Sequence, residues 1–124
     1  GTSATPEPHL PNLPASHYVN VLNALEPMFG PNKARKLINA ALDDIPQDIV
    51  QTEKLGEIPV GLIEQLHKAA GSTAMVGLST LSGHLLEAER AATRGNIAGL
   101  HSLFQKIDKA SRDCRKALTM QDLN

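Results

Sequence analysis

The stretch LIEQLHKAAGSTAMVG, Leu62 to Gly77, places apolar residues at three- and four-residue spacing and ends on a glycine. That is the pattern of an amphipathic helix with a marked stop. At about 100° per residue, Leu62, Leu66, Ala69 and Thr73 share one arc, the natural core face. His67 falls about 130° from the middle of that arc, on the solvent side or at its edge. A surface histidine ordinarily has charged and polar neighbours. Here Ile63, Ala70 and Gly71 lie one turn before and after it, with Val60 two turns back and Ala74 two turns on. The ring is expected to stand out from a face with little bulk beside it, which suits close approach by another protein. By pattern alone an ordinary surface histidine is the simpler account.

The same period runs through the rest of the chain from Ser16 onward, and no alternation is long enough for a strand. Tyr18, Leu22, Leu25 and Phe29 form a stripe behind a Ser16 cap, broken by Gly30-Pro31, and predict a short first helix. Leu37, Ala41, Ile45 and Ile49 predict a second helix from Asn32 to about Leu55, kinked or split by Pro46. Pro59 suits the first turn of the third helix, and Gly77 a left-handed C-terminal cap. Leu78, Leu81, Leu85, Ala88 and Ala92 line a fourth helix closed by Gly95. Asn96 then caps a fifth, with Ile97, Leu100, Phe104, Ile107, Ser111, Cys114 and Leu118 on one face. Short connections predict successive helices as antiparallel neighbours. The expected fold is all-α, an antiparallel four-helix bundle with a short extra N-terminal helix.

Composition narrows the function classes. The chain has 124 residues, enough for one core, and a formal charge of -1, so no electrostatic footprint points to nucleic acid or an anionic membrane. Its aromatic side chains are one Tyr and two Phe, so packing must rely on closely approaching aliphatic helices. The single cysteine, Cys114, cannot form an internal disulfide and reads as a small apolar core residue. No apolar run reaches the ~18 residues of a membrane span, and a cytoplasmic location fits best. Gly1-Thr2-Ser3 resembles a cloning remnant, and prolines at 6, 8, 11 and 14 favour an extended linker. The expected organisation is therefore a remnant and linker over 1–15 and one helical domain over 16–120.

At His67 the sequence resembles the histidine-containing phosphotransfer (HPt) domains, intermediate carriers of multistep His-Asp phosphorelays. The family shares a phospho-accepting histidine, a lysine three residues on, a glycine at the fourth, small residues next and a second glycine at the tenth. Here His67 is followed by Gly71, Ser72-Thr73-Ala74 and Gly77. Leu81 and Glu89 fall where the family tends to have leucine and a glutamate or glutamine, and Gly95-Asn96 matches the break before the final helix. The resemblance covers about Tyr18 to Leu118. It departs at one place, where the family lysine is Ala70; Lys68 is next to His67 but points about 100° away and reads as solvated.

The resemblance implies that His67 accepts a phosphoryl group from a receiver-domain aspartate and passes it to a response-regulator aspartate. The domain would then be a cytoplasmic terminal module of a bacterial hybrid sensor kinase, such as one anchored in the inner membrane, with no kinase activity of its own. Ile63, Lys68, Ala70, Gly71 and Ala74 would form the docking surface, and Glu89 would fix the other ring nitrogen. An imidazole nitrogen is nucleophilic near neutral pH without a dedicated base. The Mg²⁺ would sit in the partner receiver, so no cofactor or metal is expected here, and the isolated domain is expected to be a monomer.

Three other classes fit less well. A docking module without phosphate chemistry is the alternative, with Ala70 marking lost transfer. His67, His84 and His101 recur at seventeen-residue intervals, which invites a metal site, but no Glu-x-x-His or His-Glu-x-x-His sequence supports one. No Gly-rich nucleotide loop or Gly-x-Ser-x-Gly sequence suggests an independent catalyst.

Overall fold

A computed structural model describes residues 15–46 and 56–122, and every regular element within them is helical. The elements are α1 (Ala15–Phe29), α2 (Pro31–Asp43), α3 (Leu62–Met75), α4 (Ser79–Thr93) and α5 (Ile97–Asp122). The expected proline-rich linker, Ile49 and the stretch to Leu55 lie outside the described residues. α1 has 15 residues, as many as α4, so the first helix is not short.

The helix ends follow from local chemistry. Gly77 takes φ 92° and Gly95 φ 70°, the left-handed region that glycine enters without a Cβ penalty. At each, the next residue reaches back to an orphan carbonyl: Leu78 N–H donates to Thr73 O at 2.9 Å and Asn96 N–H to Ala91 O at 2.8 Å. Gly77 N–H and Gly95 N–H donate to Ala74 O and Ala92 O. Both turns are therefore Schellman caps. Asn96 also caps the following helix, its Oδ1 accepting from Gly99 N–H at 3.0 Å.

α2 ends well before Leu55. Asp44 N–H and Ile45 N–H donate to carbonyls three residues back, Ala41 and Leu42. Pro46 has no N–H to continue the ladder and disfavours helical geometry at Ile45. The buried face is also rotated from the expected one. Ala34, Ile38, Ala41 and Leu42 are buried, while Leu37 sits at the edge. α3 starts at Leu62, a turn later than Pro59 suggested, because Gly61 is left-handed (φ 85°) and precedes the first helical residue.

One apolar cluster joins all five helices, with Leu22, Ile38, Leu66, Leu85, Phe104 and Ile107 fully buried in it. Each such side chain contributes about 1.5–3 kcal/mol relative to exposure. α3 packs most extensively on α4 and also contacts α2, and α5 packs on α4, α1 and α2. Phe29, expected in the α1 stripe, is instead 40% exposed in the last turn, with the Lys33 ammonium 5.6 Å from its ring centre. Cys114 is buried, and burial pushes its thiol up to about 11. Tyr18 is also buried, which, with the nearby Cys114 and Asp113 charges, pushes its phenol up to about 12.

Polar ties fix helix against helix. Ser72 Oγ on α3 donates to Asp44 Oδ2 at the end of α2 at 2.6 Å. Arg115 on α5 donates to Asn39 Oδ1 at 3.1 Å and to Asp43 Oδ1 at 2.8 Å, both on α2. Inside the α3–α4 contact, Ser82 Oγ donates to Ala70 O at 2.9 Å, and Thr73 Oγ1 to Ala69 O. The two buried hydroxyls are thus satisfied, as burial in an apolar core requires.

Candidate functional site

α3 buries Leu62, Leu66, Ala69, Ala70 and Thr73 and turns His67 outward. The His67 side chain is 74% exposed. Across the groove, α4 buries Leu81, Leu85, Ala88 and Ala92 and brings Glu89 to its edge. Glu89 Oε1 and Oε2 lie 3.0 and 3.2 Å from His67 Nδ1. An ionised carboxylate only accepts, so Nδ1 carries the proton and donates. In the neutral ring this leaves the lone pair on Nε2, for which the described residues supply no hydrogen-bond partner.

The surroundings of His67 are small or open. Gly71 is exposed, and a Cβ added there would meet nothing within 4 Å. Ala74 is exposed, Ile63 partly so, and Val60 fully. Ala70 departs from the expected surface. It is 2% exposed and packs in the core beside Ser82. α3 contacts both α2 and α4, which widens its buried arc beyond the four residues expected. The third position after His67 therefore offers no room for a docking contact. Lys68 is exposed, and its ammonium lies 4.0 Å from Asp44 Oδ1, on the α2 side.

A groove of about 330 Å³ opens beside the ring, lined by His67, Leu86, Glu89, Arg90, Thr93 and Arg94. Apart from His67 these all come from α4 or the residue after it. Arg90, Arg94 and Leu86 were not singled out by the sequence. Their one signal is spacing among themselves, since Leu86, Arg90 and Arg94 follow at four-residue intervals, which places them on one side of a helix.

Among the described residues no group of three or more His, Cys, Asp or Glu side chains is placed to hold a metal ion. His67, His84 and His101 do not converge. His84 is half-buried, and that burial lowers its imidazole below the ordinary value, with Glu87 opposing and Lys106 reinforcing the shift. His101 Nε2 lies 3.4 Å from Gln105 Nε2. No described helix is long and apolar enough to cross a membrane.

Compared with protein-family models, curated proteins and solved structures, the chain shows no match.

Proposed function

We propose that this domain is a phosphorelay intermediate with His67 as its phosphoryl acceptor, built as an HPt-like antiparallel four-helix bundle. The observation that carries the reading is the hydrogen bond from His67 Nδ1–H to Glu89, which leaves Nε2 as the nucleophile on an exposed ring. Clear space beside Gly71 would let a receiver's active-site loops approach.

In the forward step Nε2 attacks the phosphorus of a receiver aspartyl phosphate. The N–P bond forms, the acyl O–P bond breaks, and the aspartate leaves as a carboxylate. His67 keeps its Nδ1 proton, so the phosphorylated ring carries a positive charge. Glu89 stabilises that charge through a charge-assisted hydrogen bond. No base has to remove a proton, and the metal of the reaction belongs to the receiver, in keeping with phosphoryl transfer by positioning and charge neutralisation. Transfer to a second receiver reverses the same step. The domain would be the cytoplasmic terminal module of a hybrid sensor kinase.

The test is incubation with a phosphorylated receiver domain. Acid-labile, alkali-stable label is expected on the wild type and absent from His67→Gln, whose circular dichroism and melting should be unchanged. A docking module without transfer is the second reading, favoured by Ala70 at the place of the family lysine. Receiver binding without label on the wild type would decide for it.

A further inference from the structure

We propose that Arg90 and Arg94 supply the cationic contact to the phosphoryl group on His67, from α4 and its C-terminal cap rather than from the accepting helix. The inference rests on the reading of His67 as acceptor. Neither α3 position from which a cation is expected supplies one to the ring. Position 70 is an alanine buried in the core, and Lys68 stands on the α2 side, 4.0 Å from Asp44.

The groove beside the ring carries the opposite arrangement. Arg90 and Arg94 line it together with His67 and Glu89. Both are exposed, and no described carboxylate lies within ion-pair distance of either. One turn separates them on the same side of α4. Glu89 holds the Nδ1 edge of His67, and besides Glu89 the charges of the groove that the exposed ring lines are both guanidinium ions, on side chains long enough to reach over a phosphoryl group borne by that ring. A guanidinium presents a planar fork of donors matched to phosphate oxygens, and it attracts a phosphoryl dianion more than a neutral ring. The same cations would meet the acidic rim of a receiver's phosphorylation site. Arg90 also lies in the last turn of α4, where a cation favours the helix dipole, so the test must separate the two roles.

The experiment uses Arg90→Ala/Arg94→Ala and Arg90→Lys/Arg94→Lys alongside the wild type and His67→Gln. Label transfer from a phosphorylated receiver is timed, and the domain is separately loaded with phosphoramidate for ³¹P NMR across a pH series. The alanine pair is expected to slow transfer at least tenfold and to raise the ³¹P titration midpoint of phospho-His67, because dianion formation loses its counter-charge. The lysine pair should recover most of both. A helix-end role alone would lower the melting temperature and leave the ³¹P midpoint in place. Wild-type rate and midpoint in the alanine pair would overturn the arginine assignment while leaving His67 as acceptor. A wild type that takes no label from either donor would overturn both.

Discussion

Glu89 on α4 holds Nδ1 of His67 on α3 at 3.0 Å across 22 residues of chain, and this contact selects which ring nitrogen is free. The pair is more than a surface ion contact, because Glu89 is only 24% exposed and its position is set by the packed face of α4. As a source of stability it is worth little, since exposed pairs contribute about 0–1 kcal/mol. Its consequence is chemical.

Replacing Glu89 with Ala should therefore change the tautomer more than the fold. The ¹⁵N spectrum of the neutral ring is expected to show the Nδ1–H form dominant in the wild type and a mixture with Nε2–H in the variant. Label transfer to His67 should fall about tenfold, and stability should change by less than about 0.5 kcal/mol. A wild-type tautomer ratio in Glu89→Ala would mean that Glu89 does not orient the ring.

Two glycines in the same helical region should respond to alanine with opposite signs. Gly77 has φ 92°, and an added Cβ would meet only Val21 Cγ1 at 3.8 Å. The cost of Gly77→Ala is then backbone strain, about 1–2 kcal/mol. Gly71 lies inside α3 with open space around it, so Gly71→Ala should stabilise by about 0.5–1 kcal/mol. Urea midpoints at constant m-value read both.

Adjacent residues on α3 should separate core from surface. Leu66 is fully buried, and Leu66→Ala is expected to cost about 2–5 kcal/mol in urea unfolding. His67→Gln, one residue on, should cost less than about 0.5 kcal/mol. Equal losses would place His67 in the core and remove it as an acceptor.

His84 gives the pH dependence its sign. Burial lowers its imidazole below the ordinary value, so the unfolded chain binds its proton at a higher pH than the folded one. Its contribution is complete above about pH 6.5 and is lost as pH falls through the lowered folded value. Thermal stability should decline below about pH 6.5, and His84→Gln should flatten that part of the curve.

Much of this was legible in local sequence. Helical period placed Leu62, Leu66, Ala69 and Thr73 inward and His67 outward, and the burial pattern agrees. Gly77, Gly95 and Asn96 marked ends that depend only on the backbone freedom of one residue or on one side-chain oxygen. α2 was harder to read because two overlapping stripes, one through Leu37 and one through Ile38, both satisfy a three-four spacing. Only the neighbouring helices choose between them.

The chain's own order of residues thus determined that it is helical, where its best-marked helices stop and which way the histidine faces, because period and glycine φ are properties of a few consecutive residues. Tertiary structure decided that Ala70 is sealed under Ser82, that Glu89, expected beside the ring only through the family resemblance, meets Nδ1, and that Arg90 and Arg94 share the groove beside the ring. Those outcomes depend on how far two helices are rotated about their own axes when they meet. That rotation is set by the shape of the whole core and is written in no single stretch.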